Sequence, residues 1–309
     1  MSAEQNSTIA QRLSIGTYLS KALLPAFKAS DSKQWLSVPI CAKAWPEYTD
    51  LQRQPGERCL RQVERTDTYK FVVLVQNYLQ SSAANAYMVN EAMVWEEESP
   101  RLRLPSKDLV LYDDTDIEFL SRIDNEELFV TVVQDYVLRT VSEALRIIEG
   151  QPLDSRMVAA LQFRKYSHLC PAHHARWDIL AMRGTMSHPF PFFVFVVPPW
   201  EFGIQDFTEL TSAQQFLNNE LGRPSSAAHK LWAVIHDTCR RRGRFFVVTN
   251  YTRWAFGEFS PDDSAVFITA AFEAPILEFD GKDKATQALG CNVVEMLAFW
   301  TAWALSQQT

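Results

Sequence analysis

The alternation of apolar and polar positions changes period about halfway along the chain. In the first 150 residues the apolar positions recur mostly at helical spacing. Within STIAQRLSIGTYLSKALLPAF they fall at Ile9, Leu13, Leu19, Leu23 and Leu24, with Ser7 or Thr8 as an N-cap and Pro25 as a stop, which predicts an N-terminal helix. A passage rich in Pro and charge, KAWPEYTDLQRQPGER, separates it from helical patterns that run from about Thr68 to Glu97 and break near SSAANA. A short strand, DLVLYD, precedes a polar turn. NEELFVTVVQDYVLRTVSEALRIIEG then predicts the longest helix of this half, from about Asn125 to Gly150, with acids in its first turn facing the positive end of the helix dipole and Gly150 as its stop.

From residue 151 the apolar runs have strand length. MVAALQF, WDILAM and FPFFVFVV are three such runs, and a helix from about Ser226 to Arg241 follows them. RFFVVTNYTRWAFGEFSPDDSAVFITAAFEAP reads as a meander with NYTR and SPDD as its turns, and a final helix begins at about Lys284. Strands, a crossover helix, further strands and a helix predict an α/β or α+β fold with a mixed central sheet flanked by helices. The change of period divides the chain into a mainly helical region, 1–150, and an α/β core, 151–309. The EGQPLDS link between them is short enough for one continuous domain.

Composition narrows the function classes. The 309 residues include 20 Phe, 9 Trp and 9 Tyr but 10 Gly, and neither GxGxxG nor GxxxxGK[ST] occurs, so a glycine loop cradling phosphates does not organise this chain. A net charge of -7 argues against a broad phosphate-binding surface, which needs clustered Lys and Arg. Five cysteines without a CxxC pair fit a reducing compartment, and MSAEQNSTIAQRLSIG lacks the apolar stretch of a secretion signal, so an intracellular protein, cytoplasmic or nuclear, is expected. Leu289 to Leu305, LGCNVVEMLAFWTAWAL, is interrupted by Asn292, Glu295 and Thr301 and is shorter than the about 20 apolar residues that cross a bilayer. It predicts a buried helix and no membrane partner.

The stretch ARWDILAMRGTMSHPFPFFVFVVPPWEFG carries the candidate chemistry: two strands joined by a turn, the first bearing Asp178. The order from Trp177 to Ser260, a strand with an acid, a second strand, a crossover helix and a further strand, resembles the PD-(D/E)XK or restriction-endonuclease-like nucleases. The tail from VVTNYTRWAFGEFS to VEMLAFWTAWALS also resembles uncharacterised mushroom-type fungal proteins in which such a core recurs. In active nucleases of this kind an Asp and a Glu hold Mg or Mn, and a Lys helps to position the attacking water, because hard cations prefer carboxylate oxygens and a bound metal lowers the pKa of water. Asp178 takes the first position. Laying Val-Glu-x-Lys-Pro on FVVPP puts Val196 at the Glu, Pro198 at the Lys and Pro199 at the closing Pro. Val cannot ligate a metal and Pro has no amine. The resemblance therefore implies a catalytically degenerate nuclease fold that needs no cofactor and binds a protein or nucleic-acid partner.

An alternative keeps the enzyme. Glu201 or Asp206 beyond the second strand, and Glu143 on the long helix, would replace the lost carboxylate beside Asp178 in a phosphodiesterase using Mg or Mn. In the nucleases the crossover helix often adds a polar residue to the cleft, and His236 is the candidate here. His229 and His236 lie along the edge of an apolar stripe of Ala228, Leu231, Trp232, Ile235 and Cys239. Arg240, Arg241, Arg242 and Arg244 complement the carbonyl end of that helix or contact phosphate.

Other constellations are less complete. His168, Cys170, His173 and His174 offer a Cys-x-x-His step without a second pair, and read as a loop before the Asp178 strand. Asp113, Asp114 and Asp116, with Glu96, Glu97 and Glu98, are the acids that a Mg-dependent prenyl-diphosphate enzyme would use, although the Asp cluster also reads as a turn with capping acids. Gly-x-Ser-x-Gly is absent, and Cys170 near His173 has no third member.

Overall fold

Phe192–Val196 is apolar at every position, and a strand of that kind is stable only when both of its faces are covered. The computed structural model of the chain describes residues 12–20, 22, 24–25, 60–81, 84, 88–90, 126–148, 163–165, 178–182, 192–199, 201–216, 226–239, 243–274, 276–277 and 290–307. In it this strand, β7, sits inside a nine-stranded sheet. The others are β3 (Gln62–Arg65), β5 (Phe163–Lys165), β6 (Asp178–Met182), β8 (Gln214–Gln215), β9 (Phe245–Thr249), β10 (Arg253–Phe259), β11 (Ala265–Ile268) and β12 (Phe272–Glu273). Their order is β5-β6-β7-β9-β10-β11-β3-β8, with β12 beside β10. β7 runs parallel to β9 and β11 parallel to β3, while the other pairs are antiparallel. The protein is thus α/β, with a mixed sheet flanked by helices as the pattern predicts.

Alternation along the strands divides the core into two layers. Phe192, Val194, Val196, Phe245, Val247, Trp254 and Phe256 point to one side. There they meet α1 (Ile15–Ser20), α2 (Thr68–Leu79), α3 (residues 126–148) and α6 (Val293–Ser306). Phe193, Phe195, Val197, Phe246, Val248, Ala255 and Phe259 point to the other side, against α4 (Ile204–Leu210) and α5 (Ala227–Cys239). Burying each Val or Phe contributes about 1.5–3 kcal/mol, so β7 and β9 anchor the architecture. The meander appears as read from NYTR and SPDD: β9, β10 and β11 follow one another with antiparallel pairing.

Helix ends follow local chemistry. Asp67 caps α2 by accepting from the backbone N–H groups of Tyr69 and Lys70. The Ser226 hydroxyl accepts from His229 N at the start of α5. Asn292 caps α6, and Glu295 reaches back to Asn292 N at 2.7 Å, closing a capping box. The Asn292 amide also donates to the carbonyls of Leu19 and Ser20, which ties the end of α1 to the start of α6. α3 is continuous but contains a π-helical stretch, Val133–Leu138, where Gln134 Nε2 donates to Phe163 O on β5 at 3.2 Å.

Several expectations need correcting. The N-terminal pattern gives a helix over Ile15–Ser20 alone among the described residues. Arg12–Ser14 is instead a strand, β1, paired antiparallel with β4 (Met88–Asn90), and Leu24–Pro25, β2, pairs parallel with β13 (Ile276–Leu277). Partners distant in sequence supply the hydrogen bonds that a local helix would have made. β4 likewise lies within the run to Glu97 that the periodicity reads as helix, and α2 ends at Leu79. β3, whose sequence QVER carries no apolar alternation, joins the sheet from the first half of the chain. Of MVAALQF, Phe163 opens β5, and DLVLYD lies outside the described residues. No described helix is long and apolar enough to cross a membrane.

Candidate functional site

In open α/β sheets the carboxyl ends of parallel strands form the crevice that binds ligands. The parallel pair β7 and β9 places that end at Val196 and Thr249. Register carries the row across four strands, from the backbone of Asp178 at the start of β6 through Val196 and Thr249 to Trp254. The hairpin of β6 and β7 thus exists, and Asp178 stands opposite Val196, the residue that the nuclease resemblance puts in place of Glu.

The chain's own groups fill this end. Val197 N donates to Thr249 O at 2.8 Å, extending the ladder by one residue before Pro198 and Pro199, which have no N–H, end it. Pro198 O accepts from the backbone N–H groups of Glu201 and Phe202, turning the chain toward α4, and Asp206 accepts from Gly203 N at 2.8 Å. Phe202 is fully buried, edge-on to Phe207 at 5.1 Å. Asn250, 2% exposed, donates to Phe202 O at 2.9 Å while its carbonyl accepts from Arg253 N and the Thr252 hydroxyl. Tyr251 takes a positive φ of 73°, a left-handed conformation unusual for a bulky residue. It is held there by Thr249 Oγ1, which accepts its N–H at 2.8 Å, and by Trp254 Nε1, which donates to its carbonyl at 2.8 Å. Its ring is fully buried, edge-on to Phe129 of α3. Phe202 on one face of the sheet and Tyr251 and Trp254 on the other are therefore packed into the core beside this row.

Of the sequence-selected acids, Asp178 has its backbone in this row, and Glu201 and Asp206 follow β7 in the turn and in α4. Val196 is fully buried in the layer that includes α3, and Pro198 is buried. Glu201 is half-buried in the turn after β7. Asp206 is committed to the N-terminus of α4, whereas the backbone of Glu143 belongs to α3, on the other side of the sheet. Among the described residues no group of three or more His, Cys, Asp or Glu could hold a metal ion.

His236 and Arg244 lie at the far end of the sheet. His236 is 4% exposed, its ring 5.8 Å from that of Phe259. Phe259 N bonds Arg244 O, next to Phe245 at the start of β9. Phe245 and Thr249 are four residues apart, so ~13 Å of extended strand separates this end from the Asp178 row. The structure does not bring His236 to Asp178, because the last turn of α5 covers the amino end of β9. Arg244 donates from Nε to Phe259 O at 2.7 Å, pairs through Nη2 with Glu258, and lies over the Phe245 ring. Burial raises the pKa of Glu258 in spite of the opposing Arg244 charge. Arg240, Arg241 and Arg242, the Asp113, Asp114 and Asp116 cluster, Glu96 to Glu98, and His168, Cys170, His173 and His174 lie outside the described residues.

Two polar groupings escaped the sequence reading. Asn250 and Tyr251 read there as part of the NYTR turn after the strand that ends at Thr249, and the Asn that opens the turn was the available signal. The other grouping joins α4, β8 and α5. Ser226 Oγ donates to Glu209 at 2.6 Å, and His229 Nε2 lies 3.3 Å from Gln214 Oε1 and 3.7 Å from Glu209 Oε1, with Phe216 edge-on to the imidazole. Ser226 also caps α5, so this grouping fastens the crossover helix to the end of α4. Comparison of the chain with protein-family models, curated proteins and solved structures finds no match.

Proposed function

We propose that this chain is a catalytically degenerate nuclease-fold protein that acts as a binding module for a protein or nucleic-acid partner. The observation that carries the reading is the pairing of Asp178 with Val196: across the hairpin from the one acid stands a fully buried aliphatic side chain, in the position where the nuclease resemblance requires a second carboxylate. A divalent cation prefers several oxygen ligands, and a lone carboxylate holds it weakly. The burial of Phe202, Tyr251 and Trp254 next to the strand ends also favours a scaffold over a catalytic crevice. An intracellular, reducing location accords with the free, buried thiols of Cys239 and Cys291.

The test is incubation of the purified protein with linear duplex and single-stranded DNA in Mg or Mn. The expected result is intact DNA in both metals. Metal-dependent cleavage that Asp178→Ala abolishes would overturn the reading in favour of relocated acids. Fluorescence anisotropy with labelled DNA over a salt series then separates the partner classes, since phosphate contacts give affinity that falls steeply with salt.

A further inference from the structure

We draw no further inference here: the strongest candidate, the open strip of sheet where the 40% exposed Phe267 of β11 lies beside Glu64 of β3, has nothing in the structure to show what covers it.

Discussion

The ring of Phe246 on β9 lies across Gly257, its directly opposed residue on β10, so closely that a Cβ at position 257 would stand 2.1 Å from Phe246 Cζ. Phe246 in turn meets Trp232 of α5 at 5.8 Å and Phe259 at 5.5 Å, so the absence of a side chain at 257 lets one ring join the sheet to the crossover helix. Gly257→Ala is expected to destabilise the protein by about 1–3 kcal/mol, the usual cost of overpacking a close-packed core. Denaturant midpoints measure it, and adding Phe246→Leu to the Ala variant should recover part of the loss. Full additivity of the two substitutions would refute the contact.

Asn250 is the polar counterpart of that junction. Its amide and carbonyl satisfy Phe202 O and Arg253 N at the buried carboxyl end of β9. Asn250→Ala removes both bonds, at a cost of about 1–3 kcal/mol for the loss of a buried partner. Hydrogen exchange should show faster opening at Arg253, whose N–H loses its acceptor, while the amide of Val248 in the middle of β9 keeps its protection relative to global stability.

Glu295 gives the stability a pH dependence of known sign. Burial raises its carboxyl pKa more than the bond from Asn292 N lowers it. A raised folded value means that this residue's contribution is fully present below the ordinary carboxylate pKa and is lost as pH rises through the raised one. Glu295→Gln keeps an acceptor for Asn292 N and should flatten that part of the profile in thermal melts across the acid range. Asn292→Ala, which removes the cap itself, is expected to cost about 1–2 kcal/mol at any pH.

Asp262 has the opposite sign. In the β10–β11 turn the hydroxyls of Ser260 and Ser264 donate to its carboxylate and hold its pKa down to about 2. The turn is therefore supported above the ordinary carboxylate pKa and loses that support as pH falls toward about 2. NMR titration of the Asp262 carboxyl should give a midpoint well below that of a free aspartate. Ser260→Ala should move the midpoint upward, and an unchanged value would show that the hydroxyl does not set it.

The outline of the C-terminal half was legible because its signals are local. β7 and β9 are continuous apolar runs, NYTR and SPDD punctuate the meander, and α5 carries its apolar stripe at helical spacing. Helical hydrogen bonds close within four residues, so α3 could be read from its own segment, the π stretch apart. The same economy explains the failures. Arg12–Ser14 and Leu24 fall within a helical spacing that stops at Pro25, and their assignment turned on Met88–Asn90 and Ile276–Leu277, partners that no local window contains.

From the residues alone came the class of fold, the hairpin carrying Asp178, and the lack of a carboxylate at Val196. The tertiary structure decided which ends of which strands share a neighbourhood. It paired Asp178 with Val196 and Val196 with Thr249, sent His236 and Arg244 to the other end, and buried Phe202 and Tyr251 near Thr249. Strand register is the physical reason for the difference: each residue of slip moves a side chain about 3.3 Å and turns it to the opposite face, and pairing between distant segments alone sets that slip.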